Sequence, residues 1–417
     1  MNARMRRRFK LFMVLCLCAG PAAAQLSVTL TAMSFTPSVI AVGETSTLSI
    51  TFANATGATI SNVTFNDALP TGITSNTFGL STFSPGCVFQ SNVALDNLTV
   101  YGKVSVAAHS SCTVQALVVA SGPGVYDNGA ANITTWNGNP LSFPDSMLLV
   151  PGEANYQGLW WVPNGAESGW GLNFAHHGDQ VYATWYTYDT SGKAWWLSML
   201  AARTTPTGHT YGGTIYIDVG PSFNNYTGTA LAVPVGDGTL TFSDADNGSF
   251  SYNINGVAQT KPIQRFDLVT GPQPVCVYSA TTPNLAIATN YQDLWWVPNG
   301  AESGWGLNLA HQGDSIYATW YTYGVDDQPL WLSALVRFQG GKVYTGTIYQ
   351  NSGSRFDVYD TTKVMATPVG TATLSFADGN HATFGYSVMI APFTTPIVQS
   401  KPITRFTFSG GGATVCQ

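Results

Sequence analysis

Asn155–Tyr188 reads NYQGLWWVPNGAESGWGLNFAHHGDQVYATWYTY, and Asn290–Tyr323 reads NYQDLWWVPNGAESGWGLNLAHQGDSIYATWYTY. The two stretches agree at 29 of 34 positions with an offset of 135 residues. Looser matches follow: Tyr211–Tyr216 with Tyr344–Tyr349, Gly238–Phe242 with Thr371–Phe376, and Lys-Pro-Ile-x-Arg-Phe at Lys261–Phe266 and Lys401–Phe406. Copies of this length exceed solenoid repeats, which run about 20–50 residues, so each copy is a domain. Within the first copy, alternating runs predict strands at Leu159–Val162, Gly171–Ala175, Val181–Tyr188, Ala194–Leu200, Tyr211–Ile217, Thr239–Phe242, Ser249–Ile254 and Ile263–Leu268. Short turns such as His177-Gly-Asp179 join them, and no segment holds a 3.6-residue period. A meander without helices must deal with its edges, and closure is the common solution. The expected fold class is therefore all-β, with two homologous antiparallel meander β-barrels of about eight strands. Avidins and lipocalins are loose analogues in fold alone.

Working outward, residues 25–150 form a separate unit. Leu48–Phe52 and Ile60–Phe65 alternate apolar and polar, with turn signals at Val42-Gly43, Asn54–Gly57, Leu69–Gly72 and Pro123-Gly124. That spacing predicts a β-sandwich. Phe35-Thr-Pro-Ser-Val-Ile-Ala-Val-Gly43, Asp67-Ala-Leu-Pro-Thr-Gly72, Cys112-Thr-Val and Pro123-Gly-Val-Tyr-Asp-Asn128 together resemble the Ig-like "conserved repeat" domains of bacterial exported and surface proteins. The resemblance implies an Ig-like spacer or adhesive module in which Cys87 and Cys112 staple strands. The duplicated string, with Leu-Trp-Trp-x-Pro, Glu-Ser-Gly-Trp-Gly-Leu-Asn and Ala-His-x-Gly-Asp, is similar to C-terminal modules of exported proteobacterial proteins. Those modules have no established function, so this resemblance implies export and names no ligand.

Export is also read from the N-terminus. Arg4, Arg6, Arg7, Arg8 and Lys10 precede the apolar Leu11–Gly20, and Ala22-Ala-Ala24 offers a cleavage site, so residues 1–24 are expected to be a signal peptide. The remaining organisation is a sandwich over 25–150, barrels over 151–269 and 290–417, and a Pro/Thr/Ala-rich linker over 270–289. No long apolar run follows the leader, so no transmembrane helix is expected in the mature chain. The location expected is the periplasm, cell surface or exterior.

Only 9% of the residues are charged, against about 25% in an average protein. Past the leader, 11 Lys and Arg face 22 Asp and Glu. Such a surface repels phosphate backbones, so nucleic acid is excluded as a partner. The cysteines beyond the leader, Cys87, Cys112, Cys276 and Cys416, suit an oxidising compartment. Cys276 and Cys416 each lie 11 residues after the arginine of their Lys-Pro-Ile-x-Arg motif. Equivalent residues meet near a pseudo-two-fold axis, which predicts a Cys276–Cys416 bond holding the barrels as a pair.

Trp160, Trp161, Trp170, Trp185 and Trp196 recur as Trp295, Trp296, Trp305, Trp320 and Trp331. Neighbours on a strand point to opposite faces, so one member of Trp160-Trp161 and of Trp185-Tyr186 must line a second packed surface or face solvent. Exposed rings suit sugars or a protein partner. Glu167-Ser-Gly-Trp-Gly171 adds a carboxylate beside rings, as sugar sites do. The candidate ligand-binding residues are accordingly Trp160, Trp161, Glu167, Trp170, Asn173 and Trp185, with Trp295, Trp296, Glu302, Trp305, Asn308 and Trp320. The leading expectation is non-catalytic binding of a glycan or peptidic ligand by an exported adhesion protein. The alternative is a structural module whose Trp surfaces pack domains together, with Glu167 pairing Arg265 across the barrel. A third reading is a hydrolase using Glu167 and Glu302, with Asp179 as the second acid about 5–9.5 Å away. Ser168 lacks the G-x-S-x-G elbow. His176-His177-Gly-Asp179 looks metal-like, but the second copy carries His311-Gln312, so neither metal nor cofactor is expected.

Overall fold

A computed structural model describes residues 28–75, 81–82, 87–90, 98–138, 145–408, 410 and 412–417. The signal-peptide expectation lies outside the described residues. The chain is all-β. In the sandwich, Thr45–Asn54 lies between Val28–Thr36 and Ser110–Ala120, and Ile73–Ser75 continues that sheet. The opposing sheet runs Ile133–Trp136, Ile60–Ala68, Thr99–Val106, Cys87–Gln90. Alternation dictates the core: Leu48, Ile50 and Phe52 turn inward from one strand to meet Val63 and Phe65 from the facing sheet. Cys87 and Cys112 are disulfide-bonded between the two sheets.

Each copy of the repeat closes into an eight-stranded barrel. The first uses Gly158–Trp161, Gly171–His177, Gln180–Tyr188, Ala194–Arg203, Thr210–Val219, Leu231–Phe242, Asn247–Ile254 and Val257–Arg265. The second repeats that order from Asp293–Trp296 to Ile397–Arg405. Closure comes from pairing of Trp160 with Arg265 and of Trp295 with Arg405. The final strand begins at Val257, earlier than the expected Ile263, because the Asn255-Gly256 turn takes positive φ at both residues and folds it straight back on its neighbour. The interiors are aromatic plugs. Tyr156 stacks on Phe242 at 3.6 Å and Tyr291 on Phe376 at 3.6 Å, above fully buried Trp160 and Trp295.

Residues 270–289 connect the barrels, but not as a free spacer. Cys276–Ser279 pairs antiparallel with the C-terminal Ala413–Cys416, with Cys276 opposite Cys416 and the two disulfide-bonded at a Cα separation of 4.0 Å. Val277, Ala413 and Val415 from this ribbon pack with Met147 and Leu149 of the sandwich. Asn284 adds hydrogen bonds to Asp127 and Asp145. The ribbon thus ties sandwich and barrels through one small core.

Candidate functional site: an aromatic seam between the barrels

The strand rule that splits the Trp pairs between two faces holds, and the second face is a packed one. On Gln180–Tyr188, Trp185 points into the barrel while Tyr186 points out. Tyr186 meets Trp331 of the second barrel at 5.5 Å, and Trp196 meets Tyr321 at 5.0 Å in the pseudo-symmetric contact. The indoles make reciprocal bonds, Trp196 Nε1–H donating to Thr322 O at 2.8 Å and Trp331 Nε1–H to Thr187 O at 2.9 Å. Near the disulfide, Gln157 donates to Gln292 O and Gln292 donates to Gln157 O, so the amides cross on the pseudo-two-fold axis.

A second reciprocal device closes the barrel mouths. The loop after Thr210–Val219 sends Phe223 into the second barrel, against Trp320 at 5.6 Å and Tyr386 at 6.4 Å. The loop after Val343–Ser352 sends Phe356 into the first, against Trp195 at 5.4 Å and Trp185 at 6.2 Å. Backbone carbonyls fix both plugs: Gln259 Nε2–H donates to Asp357 O at 2.7 Å, and Gln399 Nε2–H to Asn224 O at 2.8 Å. Each barrel is therefore stoppered by its sister.

Glu167-Ser-Gly-Trp-Gly171 is the latch for these plugs. Tyr359 Oη–H donates to Ser168 O at 2.7 Å, and Tyr226 Oη–H donates to Ser303 O at 2.5 Å. Gly169 and Gly304 hold φ of 109° and 121°, and Val364 and Ala230 of the sister barrel lie where their Cβ atoms would be. Only glycine allows both the conformation and that approach. The carboxylates turn inward to the lysines. Lys261 Nζ lies 2.9 Å from both oxygens of Glu167, and Lys401 Nζ lies 2.7 and 3.0 Å from those of Glu302. The Trp170 and Trp305 indoles donate to the same acids at 3.1 and 2.9 Å.

This corrects the expected Glu167–Arg265 pair. Lys261 and Arg265 share one face of their strand, but four residues separate them by about 13 Å, and Arg265 lies at the opposite pole. There it pairs with Asp246 at 2.9 Å and donates to the carbonyls of Asn155, Gln157 and Ala245. Asp179 is also at that far pole, paired with Arg203 at 3.0 Å. The seven-residue strand Gly171–His177 separates it from Glu167, about 20 Å of extended chain. Asp179 cannot be the second acid that a Glu167 glycosidase requires.

The remaining candidates fall into three environments. Trp160, Trp185, Trp295 and Trp320 are buried inside the barrels. Trp161 and Trp296 lie half-buried on the outside, edge-on to Phe266 at 4.7 Å and Phe406 at 4.6 Å. Asn173 and Asn308 are buried on the seam. Asn308 Nδ2–H donates to Thr184 and Tyr186, whereas Asn173 Nδ2 and Thr319 Oγ1, the mirror atoms, have no partner. None of the eleven Trp of the two copies is exposed.

His176 and His311 are structural. Each ring accepts a backbone N–H at Nδ1, from Tyr156 or Tyr291, and donates from Nε2 to a turn carbonyl, Gly178 or Gly313, all at 2.9 Å. Burial pushes His176 down to about 3 and His311 to about 4, so both are neutral. Phe223 and Phe356, the residues that stopper the barrels, went unread in the sequence. Both copies nevertheless share a Phe-x-x-Tyr signal, Phe223/Tyr226 and Phe356/Tyr359.

A family profile described as "Domain of unknown function (DUF7933)" matches residues 30–149, within the sandwich. No curated protein and no solved structure matches the chain.

Proposed function

We propose that the chain is an exported, non-catalytic protein in which the two barrels form one rigid head tied to an Ig-like sandwich. The reciprocal stoppering of each barrel by the other's Phe carries this reading. Most of the aromatic and Glu-Ser-Gly-Trp-Gly chemistry is consumed in holding the pair together. The acids that a hydrolase would use are neutralised by lysine, which favours structure over catalysis. The two disulfides are compatible with an oxidising, extracytoplasmic location. Among the described residues no helix is long and apolar enough to cross a membrane. The ligand-binding reading finds support in one place, a cleft beside Asp218 on the seam.

The test is to express the chain with its leader, recover it outside the cytoplasm, and assay it against panels of glycans and peptides. The expected result is processed protein with both bonds intact by non-reducing peptide mapping, and no turnover. Turnover abolished by Glu167→Gln with Glu302→Gln would overturn the non-catalytic reading. Retention in the cytoplasm with free thiols would overturn export.

A further inference from the structure

The seam is not filled everywhere. A cleft of about 150 Å³ remains between the barrels, walled by Tyr182 and Trp196 of the first and by Trp296, Trp305, Tyr321 and Phe406 of the second. Asp218, at the end of Thr210–Val219, forms part of its lining. Its Oδ2 accepts a hydrogen bond from Ser198 Oγ at 2.8 Å. Among the described residues no Lys, Arg or His forms an ion pair with it. The chain has neutralised its other seam acids, since Glu302 has Lys401 and Asp293 has Arg405. Asp218, Tyr182 and Trp296 are all half-buried, so the cleft opens to solvent.

A carboxylate without a cation, set among six rings, has an obvious chemical complement. Ring faces carry negative electrostatic potential and attract cations at about 0.5–2 kcal/mol per ring. A primary ammonium would need several acceptors in place of its water, and the cleft offers few. The Ser303 and Gly304 carbonyls already accept from Tyr226 and Tyr323. An alkylated ammonium needs no such bonds, being weakly hydrated and apolar on its outside. We propose that this cleft binds a quaternary ammonium group, held by Asp218 and the half-buried rings of Tyr182, Trp296 and Phe406, with the buried Trp196, Trp305 and Tyr321 forming its floor. The site goes beyond the scaffold reading and rests on one part of it, the docking of the two barrels that wall the cleft.

The duplication supplies an internal control. The residue equivalent to Asp218 in the second barrel is Asn351, which donates to Ser333 Oγ at 3.0 Å and carries no charge. One charged site per chain is therefore expected.

The experiment titrates the full mature chain with tetramethylammonium chloride at matched ionic strength, followed by calorimetry and Trp fluorescence. Choline and its neutral isostere 3,3-dimethylbutanol form further arms, and phosphatidylcholine against phosphatidylglycerol vesicles separates a free ammonium from a lipid headgroup. Saturable binding at one site is expected, weakened about tenfold or more both for the neutral isostere and in Asp218→Asn. The melting temperature of Asp218→Asn, measured alongside, is expected to stay at or above that of the parent. Vesicle binding that requires phosphatidylcholine would make the source a lipid; binding of free choline alone would make it a soluble ammonium. No saturation by about 50 mM, equal affinity for the alcohol, or unchanged binding in folded Asp218→Asn would each overturn the proposal.

Discussion

The two barrels match along their reciprocal seam and through most of their interiors, and diverge in polar chemistry at a few positions close to the pseudo-two-fold axis. Trp160/Trp295 and His176/His311 occupy matching interiors with matching bonds, and Trp185/Trp320 match in burial with indole N–H groups that find no partner among the described residues. Of the five differences within the shared stretch, Phe174/Leu309 and Val181/Ile316 are apolar swaps inside the barrels, and two others bring unlike chemistry close to the axis. Gly158 faces Asp293, and His177 answers Gln312. The arginine of each closing motif shows how one task was kept with different parts. Arg265 pairs with exposed Asp246, whereas Arg405 pairs with buried Asp293 at 3.2 Å, because the second copy has Asn380 where the first has Asp246. Asp293 in turn approaches His177 at 3.5 Å, a contact its mirror, Gly158 with Gln312, cannot make. Gln312 instead bonds the backbone at Phe266 and Leu268. A covalently joined pair is free to drift from symmetry at its axis, since each position meets a different neighbour.

The largest effect should come from breaking the shared feature. Phe223→Ala with Phe356→Ala removes both stoppers; a large-to-small change at a buried Phe such as Phe223 costs about 3–5 kcal/mol, and at half-buried Phe356 about half of that. Denaturant unfolding should show a loss of about 4–6 kcal/mol in the barrel pair, with the sandwich transition unmoved. A loss below about 2 kcal/mol would mean the mouths are closed without them.

Cutting the tie on the axis comes next. The Cys276–Cys416 bond spans 140 residues, worth about 4–5 kcal/mol in the chain-entropy model. Cys276→Ser with Cys416→Ser should destabilise the pair by up to that amount in urea, while reduction of Cys87–Cys112 should act on the sandwich alone.

Acid should separate the regions by sign. Burial lowers His176 to about 3 and His311 to about 4, so the unfolded chain takes up protons first. The stability these rings allow is complete above their unfolded value of about 6.5 and is lost as pH falls toward 4, by about 3 kcal/mol per ring. In the sandwich, burial raises Asp67 to about 6, and the folded state holds the proton longer. That carboxyl adds about 3 kcal/mol as pH falls from 7 through 6 toward its unfolded value. Asp218, also raised to about 6, offsets part of the loss in the first barrel, so Asp218→Asn should steepen the barrel pair's acid sensitivity. Melting curves at pH 7, 5.5 and 4, about the range of these groups, should show the barrel transition falling while the sandwich transition rises.

The smallest effect is at the latch. Lys261→Met leaves Glu167 with the Trp170 indole alone in a half-buried site, costing about 1–2 kcal/mol after solvent screening. Arg265→Met should cost more, because four backbone and carboxylate acceptors lose their donor. Thermal melts of the two variants order these effects directly.

Much of this architecture is legible in the chain. The period-two runs place the barrel strands, the duplication places the domains, and the equivalent spacing of Cys276 and Cys416 places their bond on an axis. What escapes is long-range choice. Strand periodicity puts Lys261 and Arg265 on one face but does not say which end of the barrel the Glu167 loop reaches. It also requires a second surface for Tyr186 without naming Trp331 as its partner. Phe223 and Phe356 sit in irregular loops, where no period exists to read. Only comparison of the two loops exposes Phe-x-x-Tyr, and even that leaves open which barrel the ring enters.

The central claim is that the barrels are one folding unit joined by exchanged stoppers. Native-state hydrogen exchange on Phe223→Ala tests it most directly, since this residue belongs to the first barrel and plugs the second. The expected result is a matched loss of protection in Gln180–Tyr188 and Ser315–Tyr323, with the sandwich strand Thr45–Asn54 unchanged. Loss confined to the second barrel, with the first as protected as before, would show two independent barrels in contact and would contradict the account.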